Sequence, residues 1–443
     1  MNVMKTKTAI AILLGLFVAP AHAQPLDKPK LDQFLDRLAE KNKAMGGLTL
    51  ARDGHVVYSH FVGFSYINGA DKRPATAATK YRIASITKTY TAVMIFQLVE
   101  EKRLKLTDTL ERFFPQVPNA PRITITHLLS HRSGIHDMEP DAAFGKQSRT
   151  RDEIVARIAG GQPDFEPDAR FKYCNAGYVL LGYAIERLDG SPYADALKAR
   201  ITSRLGLKDT YAIASGTTDP DKNESRSYGY FGLWNEGSEL DFSVPAGAGA
   251  IVATTADMAA FIHALFERKL FSQASLTQMT TMRDGEGMGL ATVSFAGKTA
   301  YWYSGGSSNS GAWLAYFPEE KLALAYATNA KVYPVKDIVN GAFAIYWNQP
   351  FQIPTFEAFV VSPEILDLYV GVYAMPGSPA RPTIKREGGT LYFKPGGDNA
   401  VALEATAENE FKIDPAVFFE FDAAKGELKI TRAGVERLFT KEK

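Results

Sequence analysis

A serine and a lysine stand three residues apart in Ser85-Ile86-Thr87-Lys88, where a helical pattern begins. Residues i and i+3 lie on one face of a helix, so the hydroxyl of Ser85 and the amine of Lys88 can touch. A serine becomes a good nucleophile when a base takes its proton, and a lysine whose pKa is lowered in a partly dry site can be that base. The pair indicates acyl transfer on Ser85. The same spacing is also typical of an ordinary helix start with a solvated lysine.

A phenol and an amide follow in the triplet Tyr173-Cys174-Asn175. A tyrosine beside cations can relay protons to a leaving group, and an amide can hold a lysine or a substrate through hydrogen bonds. The Tyr-x-Asn spacing also occurs at Tyr66 and at Tyr346. Only the Tyr173 copy lies downstream of Ser85 within the mostly helical stretch over 124–207, so we predict that this copy belongs to the site.

The remaining chemistry-bearing residues do not predict a second site. His127 and His131 are spaced i, i+4 and His136 follows, but no H-E-x-x-H pattern accompanies them, so we assign them a structural role or a place at the rim of a cleft. Cys174 is the single cysteine, which excludes an internal disulfide and a cysteine-rich zinc module, and we interpret it as a small buried side chain. The G-x-S-x-G elbow, the P-loop and the dinucleotide-binding fingerprint are missing. We expect neither a metal nor a cofactor.

Composition describes a globular chain with no nucleic-acid surface. Of 443 residues, 46% are hydrophobic and 22% are charged, and 50 basic residues stand against 49 acidic ones. Nucleic-acid binders are usually strongly basic. A chain of this length is expected to form two or three domains.

The first 23 residues have the pattern of a signal peptide. Lys5 and Lys7 precede an apolar run of 11 residues, and Ala21-His22-Ala23 fits a cleavage site. We therefore expect export to the periplasm or secretion. The alternative is an uncleaved anchor, for which the apolar run is short, because a spanning helix needs about 20 residues.

The elements that must position these residues indicate an α+β layered unit. A hairpin is expected around Asp53-Gly54, and a helix over 85–101. A mostly helical stretch follows over 124–207. Strands return after Gly289 as an antiparallel meander, and a helix over 335–347 closes the unit.

A second unit is expected after two prolines, Pro350 and Pro354. Its short runs of alternating apolar and polar residues, around Gly388-Gly389 and after Lys425-Gly426, are typical of a small all-β module. We predict a signal peptide over 1–23, a first domain over 24–357 and a β-rich domain over 358–443.

Several segments in a fixed order carry a resemblance to a known family. Besides Ser85-x-x-Lys88 they are 123–135 (ITITHLLSHRSGI), 171–182 (FKYCNAGYVLLG), 205–210 (LGLKDT) and 245–258 (PAGAGAIVATTADM). Together they resemble the serine β-lactamase and penicillin-binding-protein family, most closely its class C β-lactamase-like serine hydrolases. The resemblance implies an αβα sandwich with a helical subdomain and a cleft between them. It implies that Ser85 is acylated, with Lys88 as its base. Tyr173 would be the proton relay to the leaving group, and Asn175 the orienting amide.

The third family motif, K-T-G or H-x-G on a strand lining the cleft, is where the sequence departs from the pattern. Aligned on the strand that follows, Tyr303-Ser304-Gly305 occupies that position, with Gly306 next. A tyrosine thus replaces the cation that would hold a substrate carboxylate. Lys298-Thr299-Ala300 is the alternative, but it falls at a hairpin turn. The backbone N–H groups of Ser85 and Gly306 are our candidates for an oxyanion hole, and a β-bulge at Gly305-Gly306 is the structural alternative.

Two segments of the last unit, 366–373 (LDLYVGVY) and 386–392 (REGGTLY), resemble the lipocalin-like C-terminal domain of many such hydrolases. We expect an exported serine hydrolase that cleaves an ester or amide in a small-molecule or peptide substrate, including peptidoglycan-derived peptides and β-lactams, and no nucleic acid. The alternative is a noncatalytic peptidoglycan or peptide sensor of the same fold. The sequence does not distinguish D,D-peptidase, β-lactamase, D-aminopeptidase and esterase, nor does it predict the oligomeric state.

Overall fold

The computed structural model describes residues 26–138, 142–230, 233–307, 309–357, 359–395, 400–414, 417–432 and 434–442. The predicted signal peptide, residues 1–23, lies outside the described residues. Within the described ranges, no helix combines the length and the apolar character needed to cross a bilayer.

The first unit mixes helices and strands as the sequence predicts. Its helices are α1 (Lys28–Glu40), α2 (Thr87–Glu100), α3 (Ile125–Leu129), α4 (Ala142–Gly145), α5 (Arg151–Ala159), α6 (Asn175–Asp189), α7 (Tyr193–Leu197), α8 (Ser203–Leu205), α9 (Thr255–Phe266), α10 (Gln273–Met279) and α11 (Val335–Tyr346). Its strands are β1 (Ala44–Arg52), β2 (His55–Val62), β3 (Phe64–Asn68), β4 (Asp71–Pro74), β5 (Tyr81–Arg82), β6 (Thr210–Ala212), β7 (Tyr228–Tyr230), β8 (Trp234–Glu236), β9 (Ile251–Ala253), β10 (Ala291–Phe295), β11 (Lys298–Gly306), β12 (Gly311–Phe317) and β13 (Leu322–Lys331).

The central sheet joins the two ends of the first unit. Its strand order is β10-β11-β12-β13-β1-β2, and all neighbours are antiparallel. The hairpin around Asp53-Gly54 and the meander after Gly289 are both confirmed. The pairing of β1 with β13, from Arg52 opposite Leu322 to Ala44 opposite Lys331, has no local sequence signal.

Helices cover both faces of this sheet, which confirms the αβα sandwich. On one face α1 and α11 pack through residues such as Leu31, Phe34 and Phe343. On the other face α9 packs against β1, β12 and β13, and the helical region lies beyond it. Every residue of β12 is buried, because a strand covered on both faces has no solvated side.

Helix α2 runs through the middle of the second core. Its side chains from Thr87 to Leu98 are all buried, on every side of the helix and not only on the apolar stripe that the sequence indicates. Its threonines hold neighbouring loops: Thr89 Oγ1 donates to the carbonyl of Gly289 at 2.8 Å, and Thr91 Oγ1 to that of Gly247 at 2.6 Å. A buried polar group must be hydrogen-bonded, so these contacts fix the loops around α2.

The second unit is a nearly closed, barrel-like antiparallel sheet preceded by the helix α12 (Pro363–Tyr369). Its strands are β14 (Gly371–Ala374), β15 (Thr383–Glu387), β16 (Thr390–Lys394), β17 (Val401–Ala402), β18 (Glu404–Ala405), β19 (Glu410–Asp414), β20 (Val417–Asp422), β21 (Glu427–Arg432) and β22 (Val435–Lys441). The order is β17-β16-β15-β14-β22-β21-β20-β19-β18. The two edge strands are separated by Leu403 alone, so the sheet must curl until its edges meet. This unit has its own core.

Two glycines set the spacing between α6 and the loop that precedes β9. A Cβ on Gly182 would lie 2.9 Å from the Cα of Gly247, and a Cβ on Gly247 would lie 2.8 Å from that of Gly182. Helix α6 begins at Asn175, and the loop ends its 3₁₀ turn at Ala248. Because neither glycine has a side chain, the two backbones touch. This contact brings Asn175 and Ala248 close to each other.

We expect Gly182→Ala to lower the free energy of unfolding by about 1–3 kcal/mol, because the added methyl group forces the two backbones apart. Gly177→Ala in the same helix is the control, since its Cβ would meet Leu128 at an ordinary 3.6 Å. The control should be neutral or up to about 1 kcal/mol more stable. Urea denaturation of both variants measures this, and equal stability of the two would contradict the packing argument.

Candidate active site

Ser85 lies in a 3₁₀ turn, Ala84–Ile86, that leads directly into α2. Its Oγ lies 3.0 Å from the Nζ of Lys88, so the two side chains touch as the i, i+3 spacing predicts. The residue before it, Ala84, has φ +45°, a region that non-glycine residues rarely adopt. Such backbone strain persists only where the surroundings hold it, and here it fixes Ser85 at the mouth of a cleft.

The Lys88 amine is completely buried and has three oxygen partners. Its Nζ donates to Ser85 Oγ at 3.0 Å, to Asn175 Oδ1 at 2.9 Å and to the carbonyl of Ala248 at 3.0 Å. No carboxylate of the described residues forms an ion pair with it. Burial therefore lowers the pKa of Lys88 to about 7, against a smaller opposing effect from the charge of Asp137.

This geometry orients the neutral amine toward Ser85. The oxygens of Asn175 and Ala248 can only accept hydrogen bonds, so a neutral amine gives its two protons to them. Its lone pair then points at the third partner, the hydroxyl of Ser85. With a pKa near 7, about half of the Lys88 amines are in this form at neutral pH.

Tyr173 contacts Ser85 from the solvent side. Its Oη lies 2.6 Å from Ser85 Oγ and donates to Asn175 Oδ1 at 3.3 Å. Tyr173 is 39% exposed, whereas Lys88 is 0% exposed. Partial burial raises the pKa of the phenol to about 12. The other two Tyr-x-Asn copies lie elsewhere: Tyr66 on β3 and Tyr346 at the end of α11.

Asp137 is a positioning residue that the sequence analysis did not find. Its Oδ2 accepts from the side-chain amide of Asn175 at 3.0 Å, and its Oδ1 accepts from the backbone N–H of Ala176 at 2.9 Å. A carboxylate only accepts, so Asn175 must turn its NH₂ toward Asp137 and its oxygen toward Lys88. The sequence signal is weak, because Asp137 only follows the 123–135 segment and nothing in its spacing points to Asn175.

His131 connects the Tyr173-Cys174-Asn175 motif to the Tyr303-Ser304-Gly305 motif, a more specific structural role than the sequence predicts. Its Nδ1 accepts from the backbone N–H of Cys174 at 3.1 Å, so the ring proton is on Nε2, which lies 3.2 Å from Tyr303 Oη. Burial, followed by the charge of Lys88, lowers the pKa of His131 to about 3. The ring is therefore neutral and serves as a fixed donor between the two motifs.

The three histidines of the 127–136 region do not converge. His127 caps α3 through the N–H of Thr124, and His136 pairs with Asp164. In the part of the chain that the structure describes, no group of three or more His, Cys, Asp or Glu side chains could hold a metal ion. The Cys174 thiol is buried, and burial raises its pKa to about 12, so it remains protonated.

The third motif lies at the end of β11, beside Ser85. A Cβ on Gly305 would lie 2.1 Å from the carbonyl oxygen of Ile83 and 2.8 Å from the backbone nitrogen of Ser85, so only glycine fits there. The pairing of β11 with β12 continues without a register shift, which leaves no bulge at Gly305-Gly306. Lys298 is at the opposite end of the strand, ion-paired with Glu320.

Two connected cavities open at Ser85, Tyr173 and Gly306. The Arg82 lobe, of about 290 Å³, is lined further by Arg82, Met138, Leu240, Val244 and Gly249, among others. The Glu286 lobe, of about 280 Å³, is lined further by Glu286, Ala291, Trp302, Tyr303, Ser304 and Gly305. Neither Arg82 nor Glu286 is indicated by the sequence, because each lies outside every motif.

The Arg82 charge is already compensated. Its Nη1 donates to Glu239 Oε2 at 3.0 Å and to the carbonyl of Leu240 at 2.9 Å. The guanidinium carbon lies 3.8 Å from the ring centroid of Phe242, a cation–π contact. The Arg82 lobe therefore presents a mostly apolar wall and a neutralised cation.

Comparisons with known proteins agree with this architecture. A family model described as Beta-lactamase matches residues 31–344. Penicillin-binding protein 4* of Bacillus subtilis is 27% identical over 420 residues, which cover 86% of this chain and 90% of that protein. The D-amino acid amidase of Ochrobactrum anthropi SV3, solved with D-phenylalanine, has a TM-score of 0.64 and 26% identity over 72% of this chain and 98% of its own. An octameric penicillin-binding protein homologue from Pyrococcus abyssi has a TM-score of 0.64 and 25% identity over 94% of this chain and 100% of its own.

We expect kcat/KM for a neutral ester to rise with pH through a midpoint near 7, because only neutral Lys88 can accept a proton. The pKa values of His131 and Tyr173, about 3 and about 12, lie outside this window. Asp137→Asn should move the midpoint to lower pH, since the lost charge no longer raises the pKa of Lys88. It should also lower the plateau, because Asn175 loses its acceptor. A midpoint near 10, or one that Asp137→Asn leaves in place, would contradict the assignment to Lys88.

Proposed function

The chain belongs to the β-lactamase family of serine hydrolases, and from that premise we propose that it is an exported enzyme that cleaves an ester or amide bond through an acyl-enzyme on Ser85. The observation that carries the proposal is the position of Ser85 Oγ, 3.0 Å from the Nζ of Lys88 and 2.6 Å from the Oη of Tyr173. The proposal of export rests on the sequence of residues 1–23.

Lys88 is the base of the first step. Ser85 Oγ contacts both Lys88 and Tyr173, and their pKa values decide between them: about 7 for the amine and about 12 for the phenol. At neutral pH about half of the amines are free base, whereas the tyrosinate fraction is on the order of 10⁻⁵. As Oγ forms its bond to the substrate carbonyl carbon, its proton moves to Nζ. The negative charge that develops on the carbonyl oxygen would be held by the N–H groups of Ser85 and Gly306.

Tyr173 delivers the proton to the leaving group. Lys88 is fully buried and cannot reach it, while Tyr173 faces the cleft. The phenol gives its proton to the departing oxygen or nitrogen as the carbonyl–leaving-group bond breaks, and the proton held by Lys88 restores the phenol. Water then takes the place of the leaving group, and the same groups act in reverse to release the acid and free Ser85.

The rival proposal is a noncatalytic peptide sensor of the same fold. A buried amine without an ion pair costs stability, because burial disfavours its charged form. A protein that only binds peptide has no use for a base touching a serine. The arrangement of Lys88 therefore favours the enzyme.

The substrate class that we propose is a small ester or amide without a carboxylate beside the scissile bond. Tyr303 stands where a lysine or histidine would bind that carboxylate, and Lys298 is held by Glu320. Arg82 is paired with Glu239, and Lys331, close to Gly306, donates to the Ser307 carbonyl at 2.9 Å. One structural neighbour is a D-amino acid amidase, which supports a neutral amide as one candidate.

We expect one covalent adduct on Ser85 after incubation with a fluorophosphonate or a slow ester. Intact-mass spectrometry and peptide mapping would measure it. Ser85→Ala should give no adduct and Lys88→Met a strongly slowed one, because the nucleophile has lost its base. An adduct that persists in Ser85→Ala would reject the mechanism, and a folded wild-type chain that never labels would favour the sensor.

We expect Tyr303→Lys to raise kcat/KM for an anionic substrate about tenfold relative to its neutral methyl ester. A charge-assisted bond to a carboxylate contributes about 1.5–3 kcal/mol, against about 0.5–1.5 kcal/mol for a neutral donor. Lys298→Ala is the control and should change neither value. If the wild type already prefers the anion, and Lys298→Ala or Lys331→Ala removes that preference, a cation is present after all and the proposed substrate class is wrong.

A further inference from the structure

Glu286 places a carboxylate in the cleft beside the nucleophile. It lines the Glu286 lobe together with Ser85, Tyr173 and Tyr303, and it is half-buried. Among the described residues that line this lobe, Glu286 alone carries a formal charge. The Tyr303 phenol adds none, because burial raises its pKa far above the ordinary value.

The backbone holds Glu286 in a fixed position. Its N–H donates to the carbonyl of Arg283 at 3.2 Å and its own carbonyl accepts from the N–H of Arg283 at 2.9 Å, which closes a tight turn. The turn is tied down by Asp284, whose carboxylate accepts from Arg132 Nη1 at 2.7 Å. Since Arg132 follows His131 in the chain, the turn is attached to the same segment that orients the site.

The carboxylate itself has no partner in the described part of the chain. No side chain or backbone group there donates a hydrogen bond to it, and Arg283, which shares its turn, is ion-paired with Asp168 instead. Burial, with no opposing charge, raises its pKa. Arg82, at the other end of the cleft, differs in this respect, because its charge is paired with Glu239.

We propose that Glu286 is a specificity-determining residue that binds an ammonium group of the substrate in the Glu286 lobe. A half-buried carboxylate without a protein partner offers a binding position for a ligand that brings positive charge and hydrogen-bond donors. With Tyr303 in place of a cation, no described residue lining the lobe competes with that ligand for the carboxylate. The inference deepens the proposed function and rests on it: Ser85 cleaves the bond, and Glu286 selects substrates that carry an amine.

The electrostatic sign of the lobe follows from the two residues together. A cation at position 303 would lie on the same lobe wall as Glu286 and would neutralise it. The phenol leaves the carboxylate uncompensated, so the lobe attracts cations and repels anions. A structural role through an ion pair would require a partner for the carboxylate, and none is present among the described residues.

A pair of competitors of nearly equal shape tests the proposal. (3-Hydroxyphenyl)trimethylammonium and 3-tert-butylphenol differ in one positive charge, and each competes with fluorophosphonate labelling of Ser85. In the wild type, the cation should slow labelling with an inhibition constant about tenfold lower than that of the neutral phenol. Glu286→Gln should remove the difference. Glu111→Gln, an exposed glutamate outside the cleft, is the matched control and should keep it.

Each outcome is decisive. Equal inhibition constants in the wild type, or a preference for the cation that survives Glu286→Gln, would overturn the proposal. Labelling by the probe itself shows that the Glu286→Gln chain is folded, and Glu286→Asp, which keeps the charge, should retain part of the preference. If Ser85 never labels, the proposed function fails first. Calorimetric titration of the unlabelled chain with the same two compounds then still tests Glu286.

Discussion

The site depends on excluding water from the amine of Lys88. Lys88 is surrounded by oxygen acceptors that satisfy its donors without offering a full negative charge, so its basicity falls instead of being locked into an ion pair. That requires a helix buried on all sides, a carbonyl at Ala248 aimed inward, and an amide at Asn175 with a fixed orientation. The glycine contact between Gly182 and Gly247 brings the last two together. The surrounding fold thus keeps the Nζ of Lys88 in a low-dielectric environment.

The cleft is asymmetric in the way it handles charge. At one end a guanidinium is cancelled by Glu239 and covered by an aromatic ring. At the other end Glu286 is left uncompensated beside a phenol. A substrate therefore meets an apolar wall on one side of Ser85 and a negative one on the other. The exchange of a cation for Tyr303 changes the field across the whole lobe, and not only one hydrogen bond.

What the sequence predicts, and what it misses, follows from the range of each interaction. The Ser85–Lys88 contact is set by helix geometry over one turn, and the hairpin at Asp53-Gly54 by turn chemistry, so both are readable locally. The Tyr173 copy was selected by its position along the chain. Asp137 and Glu286 were missed because their places in the site are set by the course of loops, for which no periodicity exists. The β1–β13 pairing is not predicted because its partners, such as Arg52 and Leu322, lie far apart in the sequence and no turn joins them.

That pairing has a consequence for how the chain acquires its structure. Strand β1 is among the first to be synthesised, yet its second neighbour, β13, comes only after residue 321. Until then the hairpin of β1 and β2 has an open edge and an uncovered apolar face, the features that promote misassembly. The growing chain cannot complete the central sheet in stages. The sheet forms late, when β13 has been synthesised and pairs with β1. Contacts of such large sequence separation slow folding, so the chain would stay unfolded for longer after its synthesis.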